Sequence, residues 1–554
     1  MYLTTVQPSL RVKLIFSVSI LEAHVSTATR LKLPVGIQTF SDIREGGYYY
    51  VDKTPHIERL VNQNKYYFLS RPRRFGKSLL LDTLRCLFEG REALFEGLAI
   101  HDKWDWQTQY PVIRISFSDG VIHSREALDQ HIRELLDAEI KRLGLTLENT
   151  TIAGRFRELI QLAHTTFSQR VVILVDEYDK PILDNILAPE RARELREGLK
   201  NLYSVLKDAD PHLHFAILTG VSKFSKVSLF SGLNNLNDIT LDAPYATICG
   251  YTDADIDTVF SPELPGLDRQ AIKQWYNGYR WGGQDVTSVY NPFDVLLLFQ
   301  KRQFGAYWFE SATPTFLVEI LKKRGVFTPS LDQWETEPDL LGRFDVDDIA
   351  TEGLLFQTGY LTVKQVEEPM LGYRQYTLGF PNQEVETSLN QALLPVLGVD
   401  NAPRERKTLF THLRAHDLAG LEAHLKALYA GLPHDWYRNN PIARYEGHYA
   451  SVFYSHFAAL GVNVTVEDAS HHGKVDMSVD FAGHIYLFEF KVVEQLPNGT
   501  ALEQIKARGY ADKYRAKGKP VHLVGVEFSS QKRQIVAFEV ETLPHSGPGA
   551  ALVL

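Results

Sequence analysis

Cysteine is scarce in this 554-residue chain, which contains only Cys86 and Cys249. Two cysteines cannot build a disulfide framework or a cysteine-rich zinc site, and their scarcity is typical of the reducing cytoplasm. No apolar run approaches the ~18 residues that a membrane-spanning helix needs. We therefore expect a cytoplasmic protein with no membrane partner. An excess of positive charge is also lacking, because the formal net charge is −9, so any nucleic-acid contact must use a local patch.

Internal repeats and low-complexity tracts are absent as well. A chain of this length should therefore fold into roughly two to four globular domains. The apolar segment Leu14–Leu21 follows basic residues, but it is short, it ends at Glu22, and it lacks the small-residue cleavage site of a signal peptide. We interpret residues 1–33 as a leader whose structure the sequence determines poorly.

The stretch YYFLSRPRRFGKSLLLDTLRCLF, residues 66–88, combines a short apolar strand, a basic loop and an amphipathic helix. Gly76, Lys77 and Ser78 form the core of a phosphate-binding loop, where backbone N–H groups and the positive helix end face the phosphates. Lys77 would reach the terminal phosphates, and Ser78 would help to hold Mg²⁺. The general motif G-x-x-x-x-G-K-[ST] expects glycine where this chain has Arg71. The alternative interpretation is a basic turn before a core helix.

A second motif completes the predicted nucleotide site. Residues 171–181, VVILVDEYDKP, form an apolar run that ends in Asp176 and Glu177, as expected of a parallel strand buried on both faces. In ATPases of this type the first acid supports Mg²⁺, and the second orients or deprotonates the attacking water. Thr219, at the end of another strand, is a candidate γ-phosphate sensor, although polar residues at strand ends are common. The predicted ATP-binding residues are Pro72, Arg73, Arg74, Phe75, Gly76, Lys77, Ser78, Leu79, Asp176 and Thr219.

Strands and helices alternate between about residues 34 and 300, which predicts an α/β domain with a parallel sheet and helices on both faces. Its first block includes a strand in Tyr48–Val51 and a helix that begins at Thr54. This block either helps to hold the base and ribose or packs the first helix, and we favour the second interpretation slightly. Residues 301–430 mix helical and strand-like pieces, which predicts a mixed α+β linker region for which a winged-helix-like module is one option.

The stretch GKVDMSVDFAGHIYLFEFKV, which begins at residue 473, predicts a β-hairpin with a central Ala-Gly turn. If Phe481 faces His484, then Asp476 lies directly opposite Glu489, with Cβ atoms ~5 Å apart. Two carboxylates at that spacing can share one Mg²⁺. Strand alternation places Lys491 on the face of Glu489, where it can orient or deprotonate water. The alternative is an ordinary acid–base pair on a solvent-exposed face, but opposed carboxylates without a cation should repel each other.

Polar residues on both sides of this hairpin add to the predicted site. Glu446 lies on an upstream helix and could supply another acid. A downstream helix at 500–516 carries Gln504 and Tyr510 among several basic residues. Together these residues predict a polar, partly basic wall beside the hairpin.

Four landmarks between residues 34 and 300 resemble the AAA-ATPase-like family of bacterial proteins. They are LPVGIQTFSDIREGGYYYVDKT, RPRRFGKSL, ILVDEYDKP and ILTGVSKFSKVSLFSGLNNL. The departure at Arg71 is itself like that family. This resemblance implies that the chain binds ATP with one Mg²⁺, which Ser78 and Asp176 would help to hold, and that Glu177 is catalytic.

Residues 440–540 are similar to the PD-(D/E)XK nuclease domain that often accompanies that family. The resemblance places Asp476 on the aspartate of the motif and residues 489–491 on its E-x-K. It implies Mg²⁺-dependent phosphodiester cleavage with one or two metal ions in a restriction-endonuclease-like α/β domain. The implied catalytic residues are Glu446, Asp476, Glu489, Lys491, Gln504 and Tyr510, and the implied metal ligands are Asp476, Glu489 and Phe490.

The sequence as a whole favours an ATP-hydrolysing protein whose nuclease domain cleaves nucleic acid, DNA before RNA, in defence or mobile-element control. The main alternative is a nucleotide-dependent signalling switch or scaffold that binds nucleic acid without cutting. A third option is an ATPase motor with a degenerate nuclease fold, against which the complete set of acids and lysine argues. A homo-oligomer remains open. The predicted segments are a leader at 1–33, an ATPase domain at 34–300, a mixed region at 301–430 and a nuclease-like domain at 431–554.

Overall fold

The computed structural model describes residues 30–223, 235–432 and 446–543, apart from residues 284, 313, 314, 325, 327, 343, 471, 472, 516 and 533. Most of the predicted leader, residues 1–29, lies outside the described residues. Among the helices in the described ranges, none is both long and apolar enough to cross a membrane.

The N-terminal region is built around a parallel five-stranded sheet. Its strands are β1 (Tyr66–Ser70), β2 (Val112–Ser116), β3 (Val171–Asp176), β4 (Leu213–Gly220) and β5 (Asn237–Asp238). They lie in the order β2-β3-β4-β1-β5, and every neighbouring pair is parallel. Strands β1 and β3 are buried along their whole lengths, as an unbroken apolar run between two helical layers requires. The predicted parallel sheet is confirmed.

Helices lie before, between and after these strands in chain order. The first turns of two of these helices are capped by side chains. The side chain of Ser124 accepts a hydrogen bond from a backbone N–H of the helix that begins at residue 125, and the side chain of Thr151 accepts one from the helix that begins at residue 152. The helices are α1 (Phe40–Glu45), α2 (Thr54–Gln63), α3 (Lys77–Phe88), α4 (Arg125–Leu143), α5 (Ile152–Phe167), α6 (Lys180–Leu183), α7 (Pro189–Tyr203), α8 (Val205–Asp208), α9 (Asp253–Thr258), α10 (Arg269–Tyr276) and α11 (Pro292–Lys301).

The strand expected at Tyr48–Val51 does not form. The one strand-type pairing of this segment within the described residues is an isolated bridge between Lys32 and Tyr48. Tyr49 and Val51 instead pack into the core, where they are 4% and 7% exposed. Burial in a loop therefore accounts for the apolar run that suggested a strand. The helix expected after it does begin at Thr54.

The middle region is mixed, as predicted. Its strands are β6 (Trp334–Thr336), β7 (Phe344–Asp345), β8 (Asp348–Ile349), β9 (Thr362–Met370) and β10 (Tyr373–Gly379), and its main sheet is antiparallel in the order β6-β10-β9. Its helices are α12 (Tyr307–Ala312), α13 (Thr315–Arg324), α14 (Pro338–Leu341), α15 (Thr351–Thr358), α16 (Gln383–Leu393), α17 (Ala402–Ala415) and α18 (Leu418–Ala430). The hydrophobic core of the N-terminal region continues through these elements as far as Leu393 in α16.

The C-terminal region contains a second five-stranded sheet. Its elements are α19 (Glu446–Ala458), β11 (Asn463–Ser470), β12 (Gly473–Phe481), β13 (His484–Val493), α20 (Thr500–Ala507), α21 (Asp512–Arg515), β14 (Val521–Ser529) and β15 (Gln534–Leu543). The strands follow chain order across this sheet, and among the described strands of this sheet only the pair β13 and β14 is parallel. One face packs on α17, α18 and α19, and the other packs on α20 and α21.

Candidate nucleotide and metal sites

The phosphate loop connects the buried end of β1 to the start of α3. Gly76 immediately precedes α3 with φ +93, in the left-handed region that glycine adopts without strain. Arg74 also has a positive φ of +69. These two residues turn the chain so that the first N–H groups of α3 face an open cavity, which is the usual arrangement of an anion site at a helix N-terminus.

Lys77 is held under this loop. Its side chain is buried, and its Nζ donates hydrogen bonds to the carbonyl oxygens of Arg71, at 2.9 Å, and Pro72, at 3.0 Å. Burial lowers the pKa of the ammonium, while the nearby Asp176 and Glu177 act in the opposite sense. The Lys77 ammonium is therefore hydrogen-bonded to carbonyl oxygens of the loop. Phosphate oxygens of a bound nucleotide would compete with these carbonyls for it.

Arg71, at the position where the general motif has glycine, is a structural residue. It is fully buried, and its guanidinium donates to the carbonyl oxygens of Thr240, at 2.9 Å, and Tyr245, at 3.2 Å. It also lies 4.4 Å from the centre of the Trp281 ring, in a cation–π contact. Burial lowers its pKa to about 10. Arg71 thus supports the loop from below and does not face the cavity.

The two acids of the second motif take different positions. Asp176 is buried at the end of β3 and accepts a hydrogen bond of 3.0 Å from the hydroxyl of Thr219. Glu177 follows with φ +51 and lines the cavity. Burial raises the pKa of Glu177, and the positive charge of Lys77 opposes that rise. Thr219 is fully buried, and its hydrogen bond helps to hold the carboxylate of Asp176 in place.

The cavity in front of the loop has a volume of about 540 Å³. Of the predicted ATP-binding residues, the run from Arg73 to Leu79 lines it, whereas Pro72, Asp176 and Thr219 do not. Much of the remaining lining is apolar and comes from the first block of the chain, the loop before α9 and the start of α11. It includes Ile37, Tyr50, Val51, Ile248, Tyr251 and Phe293. The block at 34–55 therefore both packs the first helix and faces the cavity.

The hairpin of the second site has the register expected from its sequence. Phe481 pairs with His484, and regular pairing continues to Met477 and Phe488. The turn residues have φ values of +50 and +85, which a tight two-residue turn requires. The regular side-chain alternation of β12 then breaks, because Val475 packs on the α20 face and Met477 packs on the α19 face. The break falls at Asp476.

Asp476 turns its carboxylate toward the neighbouring strand. Its Oδ2 accepts a hydrogen bond of 2.7 Å from the backbone N–H of Phe490. Regular pairing does not extend to Asp476 and Glu489, so the two acids come together through this side-chain contact. The ring of Phe490 points to the other face, 4.8 Å from the ring of Phe453.

Glu489 is the buried centre of this second site. Its side chain is 1% exposed, its Oε1 accepts a hydrogen bond from Gln504, and the same oxygen lies 3.5 Å from Nζ of Lys491. Its Oε2 is buried and has no hydrogen-bond partner among the described residues. Burial, reinforced by the charge of Asp476, raises the pKa of Glu489 to about 7.

Two family models match this chain. Residues 34–230 match the model described as a predicted AAA-ATPase, and residues 444–538 match that of the PD-(D/E)XK nuclease superfamily. The chain is also 59% identical over 519 residues to a protein of Azotobacter chroococcum mcd 1 described as "Uncharacterized protein in vnfD 5'region". That alignment covers 93% of this chain and 100% of the relative. Residues 34–230 therefore form an AAA-ATPase-like domain. The C-terminal domain belongs to the PD-(D/E)XK nuclease superfamily, and both predicted resemblances are confirmed.

Two predicted nuclease residues, Tyr510 and Glu446, are not part of the described contacts around Glu489. Tyr510 is buried against the start of β12, where its hydroxyl accepts a hydrogen bond of 3.2 Å from Arg508. The backbone of Glu446 begins α19, but its side chain lies outside the described residues. The structure thus brings together Asp476, Glu489, Lys491 and Gln504, which is four of the six residues that the motif implies.

The donor set fits a divalent cation in chemical terms. No group of three or more histidine, cysteine, aspartate or glutamate side chains in the described ranges is arranged to hold a metal. Two carboxylates and a backbone carbonyl can nevertheless anchor an ion that keeps several waters, as Mg²⁺ commonly does. The buried Oε2 of Glu489 provides an oxygen for such an ion.

Sequence analysis of the AAA-ATPase-like domain missed Asp179. This buried carboxylate accepts hydrogen bonds from the backbone N–H groups of Val221, at 3.1 Å, and Ser222, at 2.6 Å. Gly220 makes the approach feasible, because a Cβ there would lie 2.4 Å from Asp179 Oδ1. Asp179 therefore fixes the segment after β4 beside the end of β3. Its place in the DEYDKP motif was the available signal.

Proposed function

We propose that this protein binds and hydrolyses ATP at the phosphate loop, and that its C-terminal domain cleaves nucleic acid, with DNA as the favoured substrate. The observation that carries the cleavage proposal is the buried Oε2 of Glu489, which has no hydrogen-bond partner among the described residues and lies beside a second carboxylate, Asp476. A buried carboxylate oxygen without a partner is costly. A divalent cation between the two acids would remove that cost.

Each residue of the second site has a distinct role in this proposal. Asp476 and Glu489 would hold Mg²⁺, with the carbonyl of Phe490 as the third predicted ligand. The ion would polarise the scissile phosphate and lower the pKa of a bound water. Lys491, whose side chain is 32% exposed, can reach the substrate and orient water or stabilise the charge that develops on the phosphate. Gln504 fixes the orientation of Glu489 by its hydrogen bond.

The phosphate loop supports ATP binding in a similar way. The first turn of α3 offers N–H groups to the phosphates, and Lys77 can exchange its carbonyl partners for phosphate oxygens. Ser78 and Asp176 would hold the accompanying Mg²⁺. Glu177 lines the cavity and is the candidate base for the attacking water. The apolar part of the cavity lining suits a base and ribose, and the cavity volume of about 540 Å³ suits a nucleotide.

A cleavage assay tests the second site. The full chain is incubated with linear DNA, supercoiled DNA and RNA, with Mg²⁺ or Mn²⁺, and with or without ATP. We expect Lys491→Ala to lose cleavage and to keep ATP hydrolysis. Lys474→Ala is the matched control, because Lys474 is an exposed lysine of the same hairpin that pairs with Glu467 at 2.9 Å. Equal cutting by wild type and Lys491→Ala would overturn the assignment.

A nucleotide-binding assay tests the first site. Lys77→Ala should lose most of its affinity for ATP, whereas Lys65→Ala should bind normally, because Lys65 pairs with Asp210 at the other end of β1. Unchanged ATP affinity in Lys77→Ala would refute the nucleotide site. A protein that binds DNA and ATP but cuts nothing under any of these conditions would instead be a switch or scaffold. A role in defence or mobile-element control stays a prediction.

A further inference from the structure

We infer that helix α16 couples nucleotide occupancy of the phosphate loop to the metal site of the C-terminal domain, through Trp308, which binds Glu384, and Tyr454, which binds Glu386. This inference deepens the proposed function and rests on it. Its basis is a continuous series of buried contacts that leads from the backbone of the phosphate loop to the strand that carries Glu489.

The series begins at the loop itself. Trp308, in α12, is 1% exposed, and its indole N–H donates a hydrogen bond of 3.1 Å to the carbonyl oxygen of Arg73. On the same side, Gly359 lies so close to Pro72 that a Cβ on the glycine would be 2.8 Å from the proline side chain. The middle region therefore touches the two loop residues that precede the phosphate-binding turn. A shift of the loop on binding phosphate would therefore displace the carbonyl group to which Trp308 donates its hydrogen bond.

A buried pair of carboxyl groups ties Trp308 to α16. The backbone N–H of Trp308 donates to Asp294 Oδ1 at 2.7 Å and to Glu384 Oε1 at 3.0 Å. Glu384 is in the first turn of α16, whose start is capped by Asn382. Both acids are fully buried, and their second oxygens have no partner among the described residues. Burial raises the pKa of both groups, that of Glu384 to about 7, and the charge of Glu384 adds to the rise at Asp294.

The same helix contacts α19 of the nuclease domain. Tyr454 donates a hydrogen bond of 3.2 Å from its hydroxyl to Glu386, two residues after Glu384. Gln391, near the other end of α16, donates to the carbonyl oxygen of Ala459 at 2.9 Å. Helix α16 is a rigid element about 16 Å long. A displacement at its first turn is therefore transmitted to α19 as a whole.

Helix α19 packs against β13, the strand that carries Glu489. Phe453, next to Tyr454, packs its ring against Phe488 at 5.1 Å and Phe490 at 4.8 Å. The backbone N–H of Phe490 is the group that Asp476 binds. Movement of α19 would therefore change the distance between the strand and Asp476, and with it the spacing of the two metal-binding carboxylates. Closely packed interiors transmit such displacements because they have little free volume.

The test measures conformational coupling without requiring cleavage. Hydrogen exchange of peptides from β13 is followed in the full chain with and without a non-hydrolysable ATP analogue, whose binding is measured separately. Wild type should change its exchange rate by roughly fivefold or more on binding the analogue. Tyr454→Phe, which removes only the hydroxyl, should lose most of that response while binding the analogue within about twofold of wild type. Trp308→Phe tests the other end and should also lose the response.

Tyr486→Phe is the matched control. Its hydroxyl lies in the same domain but contacts His416 at 3.1 Å, away from α16, so its response should equal that of wild type. A wild type that binds the analogue without any change in β13 would overturn the coupling, and so would a normal response in Tyr454→Phe. These outcomes differ from failure of the proposed function. Absence of analogue binding refutes the nucleotide site and the coupling with it, whereas absence of cleavage with a normal exchange response refutes only the nuclease.

Discussion

The backbone N–H of Phe490 donates a hydrogen bond of 2.7 Å to Oδ2 of Asp476. This contact connects the two parts of the PD-(D/E)XK motif, because Phe490 is the middle residue of the Glu-Phe-Lys run. It fixes the Asp476 carboxylate where the regular pairing of the hairpin stops. The acid is thus directed by the strand that carries its partner, Glu489, and not by the geometry of the turn.

Asp476→Asn should therefore abolish cleavage while leaving the fold intact. An amide oxygen can still accept the hydrogen bond from Phe490, but it cannot supply the charge that a divalent cation needs. We expect activity to fall by more than the roughly 100-fold that loss of an outer-shell partner of a metal costs. Asp480→Asn, on the same strand but paired with Lys519, should cut normally. Activity within twofold of wild type in Asp476→Asn would contradict the proposed metal site.

A substitution that restores the general phosphate-loop motif should weaken this protein. Arg71→Gly leaves the carbonyl oxygens of Thr240 and Tyr245 without their donor and removes the stacking on Trp281. We expect a loss of stability of roughly 3 kcal/mol and reduced ATP affinity, measured by denaturant unfolding and nucleotide titration. Arg133→Ala is the control, since Arg133 is exposed on α4 and does not line the cavity. A more stable Arg71→Gly variant would show that Arg71 is not a structural support.

Much of this architecture could be predicted from short-range patterns. Alternation around a two-residue turn gave the pairing of Phe481 with His484, and an unbroken apolar run ending in Asp176 gave the buried strand β3. These predictions succeeded because side-chain period and turn length are local properties. The acid–acid contact is less local, since Asp476 leaves the regular pairing that was expected to place it opposite Glu489.

The contacts that the sequence could not predict join distant segments. Trp308 lies 235 positions from Arg73, whose carbonyl oxygen it binds, and no periodicity relates the two. The structural role of Arg71 could not be predicted either, because the motif identifies its position in the sequence but not the carbonyl groups that it binds. The aromatic run at 48–51 was misinterpreted as a strand for the related reason that burial in a loop and burial in a sheet require the same residues.

Gly525→Ala should impair the second site from a position outside the motif. A Cβ at Gly525 would lie 2.4 Å from the backbone nitrogen of Leu502, so α20 would have to move away from the sheet. That movement would separate Gln504 from Glu489. We expect a loss of stability of about 1–3 kcal/mol and a reduced rate of cleavage, with ATP affinity unchanged. Normal cleavage in a folded Gly525→Ala protein would show that the contact of Gln504 with Glu489 is not needed.

The pair His424 and His456 should make the protein less stable in acid. Their Nε2 atoms lie 3.1 Å apart, and both side chains are buried between α18 and α19. Burial lowers the pKa of His424 to about 4 and that of His456 to about 3, whereas an unfolded histidine titrates near ~6.5. Between these values the unfolded chain binds more protons than the folded one, so stability that is present above pH ~6.5 is lost as the pH falls.

We expect each histidine to cost roughly 1–2 kcal/mol between pH ~6.5 and ~5. The measurement is the unfolding of the C-terminal region at pH 7.5 and pH 5, followed by hydrogen exchange of peptides from α19. A His424→Gln/His456→Gln double variant should show a smaller difference between the two pH values, because glutamine does not titrate. Tyr429→Phe, in the same helix as His424 but with both histidines kept, should retain the full difference. An equal pH dependence in the double variant would mean that other groups cause the loss.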